Sequence, residues 1–221
     1  MKTEGMDDLV PDMETLGRSN AVREYFGDRY DTVHRYAQML LDQGELRGLI
    51  GPREMPRLWE RHILNSAAVV PYLAEARSVA DVGSGAGLPG VVVAIMRPDA
   101  EVLLVEPMER RTTWLLEVVE ELELSNVVVK RGRAEEYGGA FEVDAVTSRA
   151  VGALSKLVRV SMPLVRVGGE LVLLKGRNVR DEFDAARKVL RKFGAGDPEV
   201  LPGKTIEGVE VTTVLRVERR K

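Results

Sequence analysis

Chemistry concentrates in the run Asp81-Val82-Gly83-Ser84-Gly85-Ala86-Gly87-Leu88-Pro89-Gly90. The apolar stretch Val79-Ala80-Asp81-Val82 reads as a buried strand that runs into a glycine-rich turn, which in turn opens a helix. Glycines lack Cβ, so they accept positive φ and let a ligand lie against bare backbone, while the first turn of the helix offers unpaired N–H groups. Pro89 suits such a first turn, because its missing N–H has no partner to lose there. A second apolar strand, Val102-Leu103-Leu104-Val105, ends in Glu106. That acid stands roughly 20 residues past the glycines, where a carboxylate can accept both hydroxyl protons of a ribose. A nucleotide held at the carboxyl ends of two strands is the chemistry these residues could support.

The register of the glycines bears on which nucleotide. Gly85 to Gly90 matches G-x-G-x-x-G, so an NAD(P)-linked oxidoreductase is one reading. The strand, however, ends at Val82, which makes Gly83, Gly85 and Gly87 the turn and puts Asp81 two residues ahead of it. That acid-x-G-x-G-x-G arrangement resembles the first motif of class I S-adenosylmethionine methyltransferases. An acid there can hold the amino group, or an ordered water, beside the methionine part of the cofactor, but would repel a pyrophosphate. Both histidines, His34 and His62, precede the turn, so hydride transfer lacks an evident proton-transfer group. Methyl transfer is the preferred reading.

The elements that position these residues follow from the wider pattern. The chain has 221 residues, 44% of them hydrophobic, enough to bury one full core with a helical cap. Residues 1–18 read as a loose tail, 19–75 as a helical N-terminal extension and 76–221 as the α/β domain. In the extension, Tyr30, Val33, Tyr36, Ala37, Leu40 and Leu41 fall at helical spacing ahead of Gly44. From Arg77 onward strand and helix alternate: Val79–Val82, Leu88–Met96, Val102–Glu106, Glu109–Leu122, Val127–Lys130, Val143–Thr147, Leu154–Val165, Glu170–Lys175 and Arg180–Phe193, then a final strand Val209–Val217. Such alternation predicts a mostly parallel sheet with helices on both faces, and the last strand, with no helix before it, predicts an antiparallel return. The chain has no cysteine, which excludes disulfides, a cysteine zinc site, a radical-type iron–sulfur cluster and the thiol nucleophile of pyrimidine carbon methyltransferases. Met1 to Gly17 is acidic and has no long apolar core, so neither a secretory signal nor a spanning helix is predicted. The expectations are a cytoplasmic monomer with no metal and no membrane.

Five ordered motifs carry a closer resemblance: Arg61-His62-Ile63-Leu64-Asn65-Ser66, the turn Gly83 to Gly90, Arg133-Ala134-Glu135-Glu136, Thr147-Ser148-Arg149-Ala150 and Leu174-Lys175-Gly176. From about Leu58 to Gly176 the chain resembles the RsmG family, also called GidB, the bacterial 16S ribosomal RNA guanine-N7 methyltransferases. The resemblance implies a class I (Rossmann-like) fold with a seven-stranded sheet, S-adenosyl-L-methionine as cofactor and 16S rRNA as partner, free or within a small-subunit particle. It implies that Gly83 and Leu88 line the cofactor, that Ala134 and Glu135 flank its adenine, and that Arg149 lies at the mouth shared by cofactor and substrate. Two departures stand out. Asn65 replaces the usual Asp, so no carboxylate role carries over to it, and the lead-in Gly51-Pro52-Arg53-Glu54 is atypical.

Guanine N7 carries an in-plane lone pair on an exposed edge, so its attack on a sulfonium methyl requires no prior deprotonation. Positioning replaces a general base. Arg149 and Lys175 are the candidates for orienting the base through O6 or a neighbouring phosphate. Exocyclic-amine methyltransferases usually carry an Asn/Asp-Pro-Pro-aromatic turn where Thr147-Ser148-Arg149-Ala150 stands, which argues against an amine target. The net charge of −3 argues against a nonspecific nucleic-acid binder and leaves phosphate contacts to local clusters: Arg110-Arg111, Lys130-Arg131-Arg133, Lys175-Arg177-Arg180, and Arg216 with Arg219-Arg220-Lys221. Tyr137 and Trp59 could stack on a base, although Trp59 at helical spacing fits a core better, and His62 reads as structural. A small-molecule methyltransferase of the same fold and a noncatalytic RNA-binding module remain as rival readings.

Overall fold

The computed structural model describes residues 13–149 and 152–221. The chain begins with helices α1 (Met13–Gly17), α2 (Asn20–Phe26) and α3 (Tyr30–Gln43), followed by a π-helical turn over Leu58–Leu64 and the short α4 (Asn65–Ala67). Ser19 starts α2 by accepting the Val22 N–H on its hydroxyl oxygen at 3.3 Å, filling one of the orphan donors of a helix start. In α3 the predicted stripe is the buried one, Tyr30, Val33, Tyr36, Ala37 and Leu40. The N-terminal expectation needs one correction. Met13–Gly17 is helical rather than loose, because Gly17 lies against the Trp59 indole with no room for a Cβ and its carbonyl accepts from the Tyr30 hydroxyl at 3.0 Å. Residues 1–12 of the expected tail lie outside the described residues.

Seven strands pair into one sheet: β1 (Ser78–Val82), β2 (Glu101–Glu106), β3 (Val127–Arg131), β4 (Val143–Ser148), β5 (Val165–Lys175), β6 (Glu199–Gly203) and β7 (Thr212–Glu218), in the order β3-β2-β1-β4-β5-β7-β6. The first five are parallel, and β7 runs antiparallel to both β5 and β6. Because strand side chains alternate, Val79, Val102, Leu104, Val172 and Val214 fall on one face and Ala80, Leu103, Val146, Leu171 and Leu215 on the other. Both faces are buried, so the strands read as near-continuous apolar runs. Helices α5 (Gly90–Met96) and α6 (Glu109–Glu121) share the first hydrophobic cluster with α3 and the π-helical turn, whereas α7 (Leu154–Ser161) and α8 (Phe183–Lys192) pack in the second.

The antiparallel return is present as predicted. Strand β6, absent from the sequence pattern, forms the outer edge beyond it. Pro202 lies within β6, and an edge strand tolerates a residue that cannot donate to a ladder. The strand order reverses between β1 and β4, so the loops after those two strands diverge and leave a crevice at their carboxyl ends.

One backbone oxygen ties the N-terminal helices to this crevice. The carbonyl of Ala86, in the glycine turn after β1, accepts from the Tyr36 hydroxyl of α3 at 2.8 Å and from the Trp114 indole N–H of α6 at 2.9 Å. Tyr36→Phe removes one of the two donors without opening a cavity. Urea unfolding should show a loss of about 1 kcal/mol, and no loss would mean that the Trp114 bond alone holds the turn.

Candidate active site

The turn after β1 passes through Gly83, Gly85 and Gly87 at φ +75°, +58° and +102°. The three glycines serve different ends. A Cβ on Gly83 would meet nothing within 4 Å, whereas one on Gly87 would come within 2.6 Å of Val91 and 2.8 Å of the Tyr36 hydroxyl. Gly83 therefore leaves bare, open backbone at the end of β1, and Gly87 lets the turn close onto α3 and α5. Leu88, implied as a cofactor-lining residue, is 3% exposed and packs in the first hydrophobic cluster. Its side chain is core, since burial is worth more to an isobutyl group than contact with a polar ligand.

Glu106 is buried at the end of β2 and holds the turn in place: one oxygen accepts the Gly85 N–H at 2.9 Å and the other the Met108 N–H at 2.9 Å. Each oxygen keeps a further lone pair for a hydroxyl. Arg111 of α6 stands 3.9 Å from the same carboxylate, a neighbour that the sequence presents only as part of a basic pair. Asp81 is fully buried beneath α5, with Oδ2 accepting the Gly90 N–H at 3.0 Å and Oδ1 without a partner. Burial pushes its carboxyl up to about 7, against the opposing pull of the Gly90 N–H, Ser84 and Arg149. This geometry bears on the dinucleotide reading. A pyrophosphate would sit on the amides that open α5, and Asp81 already occupies one of them with a carboxylate.

Beyond β3 the predicted adenine-flanking pair lies in a short 3-10 turn, Ala134–Tyr137, with Ala134 buried and Glu135 exposed. The turn is tied to Glu106 by the Gly132 N–H, which donates to the Glu106 carbonyl at 3.2 Å. Neither proposed stacking aromatic stands free. Tyr137 donates to the Arg131 carbonyl at 2.9 Å and lies against Phe141, while Trp59 is 3% exposed between Phe26 and His34.

Arg149 leaves β4 on the other side of the switch point. One of its terminal nitrogens, Nη1, donates to the Arg61 carbonyl at 3.2 Å and to His62 Nδ1 at 2.9 Å, both supplied by the π-helical turn. Among the described residues its other nitrogens have no partner, and Arg149 lines a cavity of about 300 Å³ together with Glu54, Asn65, Lys175, Glu210 and Thr212. Burial lowers the Arg149 pKa, with Tyr36, Asp81 and Glu54 pulling the other way. Burial and the Arg149 charge also hold His62 down at about 4, so the ring is neutral, with its proton on Nε2 facing Glu54 at 3.5 Å. Asn65 donates its amide N–H to the Thr212 hydroxyl across the cavity floor. That donation is available to an amide and not to the carboxylate it replaces.

Lys175 reaches the same cavity, but not as a free cation. Its Nζ donates to Glu182 at 2.9 Å and to the Gly152 carbonyl at 2.7 Å, with the side chain only 5% exposed. The expectation that Lys175 orients a base therefore gives way to a fastener of the β4–α7 loop. Ala150, the last residue of the fourth motif, lies outside the described residues. The carboxyl-terminal basic cluster is likewise engaged, Arg216 by Glu199, Arg219 by Glu142 and Arg220 by Glu218. Arg131 pairs with Glu109 and Arg177 with Glu210. The residues that sequence reasoning missed are Tyr36, Trp114 and Glu54, each brought to the site across a long separation. In Tyr36 the only available signal was its place on an apolar helix stripe.

Among the described residues no helix is long and apolar enough to cross a membrane. The family model GidB, rRNA small subunit methyltransferase G, matches residues 29–203. The ribosomal RNA small subunit methyltransferase G of Clavibacter michiganensis is 51% identical over 191 residues, covering 86% of this chain and 90% of its own. That of Beutenbergia cavernae is 47% identical over 216 residues, or 98% of this chain and 99% of its own. A solved precorrin-6y C5,15-methyltransferase from Geobacter metallireducens aligns with a TM-score of 0.53 and 15% identity over 77% of this chain and 90% of that one. M. jannaschii TYW2 in complex with AdoMet aligns with a TM-score of 0.53 and 18% identity over 70% and 76%. These two structures speak for the fold, that of the class I S-adenosylmethionine methyltransferases, and the sequence matches speak for the family: the chain belongs to the GidB family, rRNA small subunit methyltransferase G.

Proposed function

We propose that this protein methylates N7 of a guanine in 16S ribosomal RNA, with S-adenosyl-L-methionine as the methyl donor and a cytoplasmic small-subunit RNA as the substrate. The observation that supports this most directly is Arg149, which follows β4 at the sheet's switch point, is held by the π-helical turn and lines a cavity of about 300 Å³. The residues suit the cofactor. Gly83 and Gly85 offer open backbone, Glu106 has acceptors left over for ribose hydroxyls, and the buried, unpartnered Asp81 Oδ1 matches an ammonium donor from the methionine end. Ala134 and Glu135 would border the adenine, and Leu88 would contribute through its backbone. When bound, S-adenosyl-L-methionine supplies an electrophilic methyl group on a sulfonium.

The remainder falls to the chain's own residues. Arg149 donates toward guanine O6 or an adjoining phosphate and so turns the N7 lone pair to the methyl carbon; a donor on N7 itself would block the reaction. His62, neutral down to about 4 with Arg149 donating to its Nδ1, takes no proton. None is released from N7, so alignment at about 3–3.5 Å is the main requirement. Lys175 and Glu182 keep the loop beyond Arg149 in register.

Incubation of the purified protein with methyl-labelled cofactor and undermethylated small subunits should place the label on a guanine N7, and label on any other atom, or none on RNA, would overturn this reading. Arg149→Ala should lower kcat/KM by about 100-fold with the cooperative unfolding transition retained. Asp81 makes the cofactor site sensitive to pH. Because its folded pKa lies near 7, above the ordinary 3.8, its contribution to the stability of the ligand-free chain is full below 3.8 and is lost as the pH rises through 7. The ammonium group of the ligand prefers the ionised form, so calorimetric affinity for S-adenosylhomocysteine should rise from pH 5.5 to 8, and Asp81→Asn should flatten that rise.

A further inference from the structure

Three carboxylates line the cavity beside Arg149, and they differ in what balances their charge. Glu60 is paired with Arg57 at 3.1 Å and Glu210 with Arg177 at 2.7 Å. Among the described residues Glu54 has no such arginine. Its ion-pair neighbour is His62, whose Nε2 lies 3.5 Å from Glu54 Oε2, and that ring is kept neutral by burial and by Arg149, which donates to its Nδ1. The Glu54 side chain is also 48% exposed and lines the cavity. The cavity wall thus presents an acceptor-only group with no cation on it, one imidazole ring away from the guanidinium of Arg149.

An ionised carboxylate accepts two adjacent N–H donors well and repels a lone pair. Among the RNA bases only guanine carries two neighbouring donors, N1–H and the N2 amine, on its pairing edge. Adenine, cytosine and uracil each put an acceptor there, which would face the carboxylate oxygens unfavourably. A base held by that edge turns its N7 and O6 edge the other way, which suits O6 for Arg149 and N7 for the methyl group. We propose that Glu54 is the specificity-determining residue for guanine, accepting N1–H and N2–H from the pairing edge of an unpaired guanine seated in this cavity, with Arg149 toward the opposite edge. The inference rests on the guanine-N7 reading above and adds a requirement to it. Since Glu54 takes the edge that would otherwise pair with cytosine, the target must be single-stranded or extruded from its helix.

The test uses reconstituted small subunits that carry guanosine or inosine at the nucleotide identified by label mapping. Inosine keeps N7, O6 and N1–H but lacks the N2 amine. Wild-type protein should prefer guanosine by about tenfold or more in kcat/KM. Glu54→Gln, whose amide can accept on one atom only, should fall toward the inosine rate on guanosine and treat the two substrates comparably, with S-adenosylhomocysteine affinity unchanged. A wild-type protein indifferent to the N2 amine, or a Glu54→Gln variant that keeps the full preference, would overturn the role of Glu54. In either case label on N7 in the wild-type reaction leaves the underlying reading intact. Should Glu54→Gln lose cofactor binding through misfolding, the inosine comparison on the wild type decides alone.

Discussion

The carbonyl oxygen of Ala86 is the point on which the site depends. A turn that holds three glycines at positive φ has little intrinsic preference for one shape, and glycine loses more conformational freedom on folding than any other residue. Two buried donors from different layers, the Tyr36 hydroxyl and the Trp114 indole N–H, converge on that oxygen, while Glu106 holds the next amide along at Gly85. The bare backbone at Gly83 is thereby kept open instead of collapsing onto the sheet. The N-terminal helices are consequently tied to the glycine turn: α3 contributes a hydrogen bond that the α/β elements do not replace.

A second constraint is electrostatic. The buried Asp81 and Tyr36, the more shielded Arg149 and His62 and the exposed Glu54 are coupled electrostatically, and each alters its neighbours. Burial drives Asp81 toward its neutral form and the Tyr36 phenol still further from ionisation, yet Arg149 stays charged because several acceptors face it. Burial, with the charge on Arg149 beside it, then denies His62 a proton. The outcome is one dependable cation with aligned donors and a histidine that serves as a spacer. In a low-dielectric site, an orienting cation is worth far more than the same group in water, provided its acceptors are fixed.

How much of this was legible in the chain depends on how far apart the interacting residues lie. The glycine turn, the acid at the end of β2 and the alternation of strand and helix are local patterns, and the structure places them at the carboxyl ends of adjacent strands as the spacing requires. Strand β7 is readable from its alternation and its antiparallel direction from the missing helix before it, but Pro202 disguises β6, because a proline in a short run counts against a strand until the run is known to be an edge. The clamp on Ala86 joins residues 50 and 28 positions apart, and the contact between Arg149 and His62 spans 87. Pairings at such distances leave no periodicity to detect. Lys175 shows a related blind spot. Charge is visible in a sequence but partnership is not, and Glu182 with the Gly152 carbonyl turns an apparent substrate ligand into a loop fastener.

The basic clusters carry that point to the scale of the whole surface. With a net charge of −3, the protein cannot rely on a general positive field to gather RNA, and the arginines of β7 and the carboxyl terminus are matched to neighbouring acids. Exposed pairs of this kind add little to stability, about 0–1 kcal/mol each. Their effect on binding is greater, since a phosphate would have to displace an existing carboxylate partner. A concave, charged surface remains at the cavity between the π-helical turn and the ends of β5 and β7. Attack by a ring nitrogen that is already nucleophilic suits such a site, because the chain has only to seat one base in one orientation against a methyl group, and the rigid backbone around Arg149 and Ala86 provides the framework for doing so.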